Sequence, residues 1–148
     1  MKRFLASPAP APPPSYKKPL KVYTSFKKER LQLIKDHKGN KAGIYCLINL
    51  INGGRSQHSY VGSSKNLAKR MQNYLNISLL KSKQNSNMPI TKALLKYGYE
   101  KFSIVIIEYT DLSILLDRET FWIVKLKPYY NILKYEGTSS GYTHLEAT

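Results

Sequence analysis

The amino-acid sequence predicts an α+β fold with a small, three-stranded, mainly antiparallel sheet flanked by helices. Two apolar segments separated by a polar loop, GIYCLINLI at 43–51 and HSYVGS at 58–63, indicate a β-hairpin. A third segment, FSIVIIEY at 102–109, has apolar residues at both its odd and its even positions, which is typical of a strand covered on both faces. The remaining segments have helical periodicity, and three strands are too few for a doubly wound sheet.

The N-terminal region has a different composition from the rest of the chain. Residues 1–22 form a basic arm without expected regular structure, since six of the eight prolines lie between residues 8 and 19. Residues 23–40 predict a short basic helix with a Thr or Ser cap, followed by a linker, and its apolar stripe consists of Phe26, Leu31 and Ile34. The globular domain is expected at 41–135, followed by a C-terminal tail at 136–148.

Two helices are predicted between the hairpin and the third strand. The first begins after Ser63 or Ser64, either of which can cap it. The second runs from about Pro89 to Tyr97 and is closed by Gly98. The apolar stripe of the first helix, at positions i, i+4, i+7 and i+8, consists of Leu67, Met71, Tyr74 and Leu75.

The last helix carries an acidic residue on its apolar face. Glu119 lies seven residues after Leu112, where a globular helix usually has an aliphatic side chain. Burying a carboxylate without compensation is costly, so a neighbouring cation such as Arg118 or Lys125, a proton or a metal ion must balance it. The expected apolar residues of this face are Leu112, Leu115, Leu116, Ile123 and Leu126, with Trp122 beside them.

The charge of the chain points to a polyanionic partner. Lys and Arg number 24 against 9 acids, the net charge is +15, and no acid occurs between Asp36 and Glu100. A basic face kept for solubility is the simpler alternative, although mixed charges serve solubility equally well. The lone Cys46 excludes an intrachain disulfide, three scattered histidines make a zinc site improbable, and no apolar run reaches the ~20 residues of a membrane span.

Two triplets on the hairpin strands resemble the signature of the GIY-YIG nucleases. They are Gly43-Ile44-Tyr45 and Tyr60-Val61-Gly62. Arg70, Glu119 and Asn131 follow in the order of that family's other motif residues, so the resemblance spans residues 41–133. It is closest to intron-encoded homing endonucleases of fungal mitochondria. It implies a mitochondrial, intron-homing DNA endonuclease that cleaves double-stranded DNA and uses one Mg²⁺ or Mn²⁺ ion.

The resemblance also implies roles for individual residues. Glu119 is the expected metal ligand, because Mg²⁺ commonly takes only one or two carboxylates and fills its octahedron with waters and phosphate oxygens. Arg70, four residues before Tyr74 on one helical face, is expected to hold a phosphate oxygen with two donors.

Tyr45 is the favoured proton relay, with Tyr60 and Tyr74 orienting water and phosphate. Supporting roles are implied for Gly43, Gly62 and Asn131, whose amide is expected to fix the loop beside Glu119. The lysines expected to contact DNA are Lys65, Lys69, Lys81, Lys83 and Lys92.

Two departures from the family pattern leave alternatives open. The segment GGRSQHS predicts an unusually long hairpin loop, and the tail at 136–148 is similar to the start of the DNA-binding repeats of relatives. A repair or restriction nuclease on the same fold is one alternative. Another is a non-catalytic, maturase-like binder of nucleic acid. In each case we expect a free monomer with no membrane partner and no small-molecule substrate.

Overall fold

A computed structural model of the chain describes residues 20–51, 58–82 and 86–132. The basic arm up to residue 19, the hairpin loop at 52–57, Lys83 and the predicted tail lie outside these ranges. The strands are β1 (Lys21–Tyr23), β2 (Gly43–Asn49), β3 (Ser59–Ser64) and β4 (Phe102–Tyr109). The helices are α1 (Arg30–Asp36), α2 (Leu67–Tyr74), α3 (Ile77–Leu80), α4 (Pro89–Tyr97), α5 (Leu115–Leu126) and α6 (Tyr129–Ile132).

The strands form one antiparallel sheet in the order β1-β4-β2-β3. The predicted fold class is confirmed, but the expected number of three strands is wrong. The additional strand β1 pairs Val22 with Val105 of β4, and it spans the boundary between the predicted arm at 1–22 and the predicted helix and linker at 23–40. Three residues are too short for a period-two pattern to be visible, so pairing with β4 rather than local sequence determines this strand.

Helices α1, α2 and α4 share one hydrophobic core with one face of the sheet. Tyr45 and Leu47 of β2 contact a core that also contains Leu67 and Met71 of α2. The helix predicted from Leu67 is therefore confirmed, although its cap is Asn66, which accepts a hydrogen bond from the Lys69 backbone, and not Ser63 or Ser64. The helix predicted from Pro89 to Tyr97 is also confirmed.

The N-terminal segment contributes to this same core. Tyr23, Phe26 and Leu33 are buried with the residues of β2 and α2. The expected apolar stripe was wrong at one position, since Leu33 is fully buried and Leu31 is 74% exposed. No side chain caps α1, which begins at Arg30 rather than next to a Thr or Ser. The region expected to be a helix and linker is thus packed onto the nuclease-like sheet.

Helix α5 covers the opposite face of the sheet. Its buried residues are Leu115, Glu119, Trp122 and Ile123, and they meet Ile44 and Cys46 of β2 and Val61 of β3. Leu112, Leu116 and Leu126 were expected on this face but are exposed. The helix begins only at Leu115, so counting helical turns from Leu112 shifted the predicted face. Glu119 is nevertheless buried, as predicted.

Candidate active site

Strand β3 is one edge of the sheet, and its alternate residues contact the hydrophobic cores on the two faces. Tyr45 of β2 lies directly opposite Gly62 of β3, while Tyr60 lies opposite Leu47. Tyr45 and Tyr60 are therefore diagonal neighbours on one face, with ring centroids 6.4 Å apart, rather than directly facing side chains.

Gly62 makes room for the Tyr45 ring. A Cβ atom at position 62 would lie 2.5 Å from the Tyr45 hydroxyl oxygen and 2.9 Å from Cε2 of Tyr60. Gly43 serves a similar purpose at the start of β2, where a Cβ atom would collide with the backbone oxygen of Glu108 on β4. Both glycines thus permit close packing of the strands and rings around the site.

Tyr45 and Tyr74 join β2 to helix α2 through their hydroxyl groups, which are 2.6 Å apart. Arg70 lies one turn before Tyr74 on α2 and donates a hydrogen bond of 3.4 Å from Nη1 to the Tyr45 hydroxyl oxygen. Burial raises the pKa of both tyrosines, and the positive charge of Arg70 only partly opposes this. The neighbouring phenols raise the pKa of Arg70, so the guanidinium is charged and both phenols are neutral in the free protein.

Glu119 belongs to the helix on the other face of the sheet, and it lines the same cavity as Arg70 and Tyr74. Its Oε1 accepts a hydrogen bond from the hydroxyl of Ser63 on β3. The side chain is 7% exposed, and burial raises its pKa, with Ser63 and the charge of Arg70 opposing this in part. The predicted alternative of a salt bridge with Arg118 does not apply, because Arg118 pairs with Glu108. Among the described residues, no cation forms a salt bridge with Glu119.

Ser63 was missed as a site residue, since the sequence suggested only a helix cap. Its signal was its position two residues after Val61, on the β3 face that meets α5. The Ser63 hydroxyl donates a hydrogen bond to one carboxylate oxygen of Glu119. Within the described part of the chain, the other oxygen accepts no hydrogen bond, so it remains able to bind a cation.

Asn131 has a different structural role from the one predicted. Its Oδ1 accepts a 2.8 Å hydrogen bond from the Val61 N–H, and its Nδ2 donates one of 2.9 Å to the Val61 oxygen. The amide therefore occupies the open edge of β3 as a neighbouring strand would, instead of fixing a loop beside Glu119. By holding Val61, Asn131 fixes the strand that carries both Tyr60 and Ser63.

A cavity of about 660 Å³ collects four of the five predicted catalytic residues. Tyr60, Arg70, Tyr74 and Glu119 line it, together with Lys65 and Lys69. Tyr45, the favoured proton relay, is fully buried and does not line the cavity. Lys81 and Lys92 are exposed but lie outside the cavity lining, and Lys83 lies outside the described residues.

Of the described residues that line the cavity, one is acidic, and the oxygen ligands present suit a hard divalent cation. Glu119 offers a free oxygen, and Ser63 and the tyrosines supply hydroxyl oxygens nearby. Mg²⁺ or Mn²⁺ is commonly held this way, with waters and substrate phosphates completing the coordination. No cluster of three or more His, Cys, Asp or Glu occurs in the ranges that the structure describes. The residues present therefore fit a single ion that also needs substrate oxygens.

Residues 41–131 match the GIY-YIG catalytic domain. The chain belongs to the GIY-YIG family. The resemblance noted from the two triplets is therefore confirmed, and with it the prediction of a GIY-YIG endonuclease domain. In addition, no helix among the described residues is long and apolar enough to cross a membrane.

Two individual proteins are similar to this chain. Over 131 residues the chain is 33% identical to the Probable intron-encoded endonuclease 1 of Neurospora crassa, covering 82% of this chain and 38% of that protein. The chain thus spans about two fifths of the length of this curated relative. A solved structure, a mutant catalytic domain of intron endonuclease I-TevI, is 28% identical with a TM-score of 0.47, covering 59% of this chain and 84% of that one.

Proposed function

We propose that the chain is a Mg²⁺-dependent endonuclease that hydrolyses phosphodiester bonds of double-stranded DNA. The observation that carries the proposal is the buried Glu119 carboxylate, which has no cationic partner in the described structure and lines one cavity with Arg70. Membership of the GIY-YIG family and the net charge of +15 support the assignment to a nuclease acting on a polyanion.

Arg70 is suited to bind the scissile phosphate. Its guanidinium is held against Tyr45 on one side and faces the cavity on the other. Two parallel donors of a guanidinium match two phosphate oxygens and stabilise the negative charge that grows on them during attack by water. Lys69 on the same helix and Lys65, just before the helix, also line the cavity and attract the DNA backbone without reading its sequence.

Glu119, together with Ser63, would hold the divalent ion. When bound, the ion supplies positive charge at the phosphate oxygens and lowers the pKa of its coordinated water. Ser63 keeps one carboxylate oxygen engaged, so the other is directed to the cavity. The expected metal dependence follows from this single free oxygen.

Among the tyrosines, Tyr60 and Tyr74 line the cavity and are placed to contact water and phosphate. Because Tyr45 is fully buried, we assign it a positioning role, in which it holds the Arg70 guanidinium and the Tyr74 hydroxyl. This revises the sequence-based preference for Tyr45 as the group that takes the proton directly from water.

Intron homing in mitochondria is the biological role we propose. It is supported by the 33% identity to a relative named as intron-encoded, and by the similarity of the sequence to enzymes of fungal mitochondria. A chain with one such cavity has one set of cleavage residues, so a free monomer would cut the two DNA strands in succession.

The decisive experiment is cleavage of supercoiled plasmid by the purified chain, in Mg²⁺ or Mn²⁺ and in EDTA. We expect nicked and then linear DNA with the metal and none with EDTA. A protein that binds the plasmid but leaves it intact at every metal concentration would be the non-catalytic binder. A plasmid carrying the uninterrupted host gene of the intron would test homing through preferential cleavage of that insert.

A further inference from the structure

The N-terminus of helix α4 opens on the wall of the cavity opposite Arg70's helix. Met88, Ile90 and Thr91 all line the cavity. No side chain caps this helix, and its first turn contains no acid. The first intrahelical hydrogen bond runs from the Lys92 N–H to the Met88 oxygen, so the N–H groups of Ile90 and Thr91 precede the hydrogen-bonded ladder.

The Thr91 hydroxyl is a buried polar group without a partner. Thr91 is 2% exposed and Ile90 is 1% exposed. In the part of the chain that the structure describes, the Thr91 hydroxyl makes no hydrogen bond. Almost all buried polar groups in folded proteins are paired, and an unpaired donor is costly, so an orphaned hydroxyl in a cavity wall calls for an acceptor from outside the chain.

We propose that this helix end is a second phosphate subsite, which binds a backbone phosphate neighbouring the one that is cut. Its three donors are the N–H groups of Ile90 and Thr91 and the hydroxyl of Thr91. The subsite rests on the proposed nuclease function, because it shares the cavity with Arg70 and Glu119.

The chemistry of the site selects an anion. Its two backbone N–H groups can only donate, its hydroxyl can also donate, and the positive end of the α4 dipole favours negative charge at the same place. The cavity lining does include the Glu119 carboxylate, which is assigned to the metal ion, and no acid occurs between Asp36 and Glu100 in the sequence. DNA phosphate is the anion that must enter this cavity for cleavage, and neutral donors would fix its register without reading bases.

The test compares Thr91→Val, which keeps the shape but removes the hydroxyl, with Thr91→Ser, which keeps the hydroxyl. Thr120→Val on the exposed side of α5 is the matched control. Binding of a short fluorescent duplex is measured by anisotropy in EDTA, where hydrolysis plays no part. We expect Thr91→Val to bind about tenfold more weakly, as for loss of one hydrogen bond to a charged group. Thr91→Ser and Thr120→Val should bind like the wild type.

Thermal unfolding distinguishes this role from a structural one. Because Thr91→Val removes an unpaired buried hydroxyl, the melting temperature of the free protein should stay the same or rise. A lowered melting temperature together with weaker binding would show that the hydroxyl serves the fold, and would overturn the subsite.

A second measurement identifies the phosphate. Once the cut position is mapped with wild-type protein, duplexes carrying a neutral methylphosphonate at each flanking position are compared with the wild type and Thr91→Val. At one position the methylphosphonate should weaken wild-type binding but have little further effect on Thr91→Val. Equal affinities of Thr91→Val and wild type, or equal penalties in both proteins at every position, would overturn the subsite. Absence of cleavage with the Thr91→Val affinity loss intact would overturn the nuclease function alone.

Discussion

Two carboxylates lie against helix α5, and the protein treats them differently. Glu108 of β4 accepts hydrogen bonds from Arg118 Nε at 2.7 Å, Arg118 Nη2 at 2.9 Å and Trp122 Nε1 at 3.2 Å. Glu119 is more buried yet accepts only the hydroxyl of Ser63. In the described structure, Glu108 is ion-paired within the fold, whereas Glu119 forms no salt bridge and is influenced only by the more distant charge of Arg70.

This difference separates stability from function. A buried charge with a complete set of partners connects strand to helix, and removing it leaves a cation and an indole N–H unpaired. A buried charge without a cation opposes folding, so its retention is explained by a ligand that it binds. The structure therefore predicts opposite consequences for the same change at the two positions.

The largest effect is expected for Glu119→Ala. Loss of the only acidic residue among the described residues that line the cavity should reduce metal-dependent cleavage by at least about 10³-fold, because both metal charge and water activation depend on it. DNA affinity in EDTA should not fall, and the protein should melt at the same or a higher temperature.

Plasmid cleavage rates, anisotropy and thermal unfolding check this prediction, with Glu100→Ala as a control that removes an exposed carboxylate. Wild-type cleavage by the Glu119→Ala variant would remove the basis of the comparison between the two carboxylates.

The next effect concerns the cation that faces Glu119 across the cavity. Arg70→Lys keeps the charge but replaces a two-donor fork by a single ammonium, so we expect a loss of about 10²-fold in single-turnover rate. Arg30→Lys, the same substitution on helix α1, should have no effect. A rate for Arg70→Lys within a few-fold of wild type would mean that Arg70 supplies charge without bidentate contact.

The sequence alone predicted much of the fold around the site. The hairpin, helix α2 and the burial of Glu119 followed from local periodicity, since each depends on residues close in sequence. The roles of Ser63 and Asn131 did not follow, because each contacts a partner 56 or 70 positions away, Glu119 and Val61. Strand β1 was missed for the same reason, as its stability comes from pairing with β4.

The full burial of Tyr45 could not be predicted from the sequence either. The two strand tyrosines have equivalent places in their triplets, but the register puts Gly62, with no side chain, opposite Tyr45. The Tyr45 ring therefore crosses beneath β3 to Tyr74, while Tyr60 stays in the cavity wall. Register is a property of the paired strands, and neither triplet alone determines it.

A smaller effect, and one on stability alone, is expected for Glu108→Gln. An amide cannot replace the bidentate contact with Arg118, so the free energy of unfolding should fall by about 1–2 kcal/mol. Cleavage should be unchanged, because Glu108 does not line the cavity. Chemical denaturation measures the loss, and the double variant Glu108→Gln with Arg118→Met should lose less than the sum of the single variants. Lost cleavage in a fully folded Glu108→Gln protein would contradict the separation of roles.

The smallest effect is the contribution of Glu119 to the pH dependence of stability. Burial raises the pKa of Glu119 above its ordinary value of 4.5, so the folded protein holds this proton more tightly than the unfolded chain does. The native state then binds more protons, and its stability relative to Glu119→Gln should decrease as the pH rises from 4.5 through the raised pKa, then remain constant. Denaturation of both proteins in EDTA across this pH range measures the difference.

Addition of Mg²⁺ above the raised pKa should stabilise the wild type and not Glu119→Gln, because an ion that binds only the folded carboxylate shifts the equilibrium toward the folded protein. A difference that is independent of pH, or that increases with pH, would show that the folded protein stabilises the Glu119 carboxylate as well as water does.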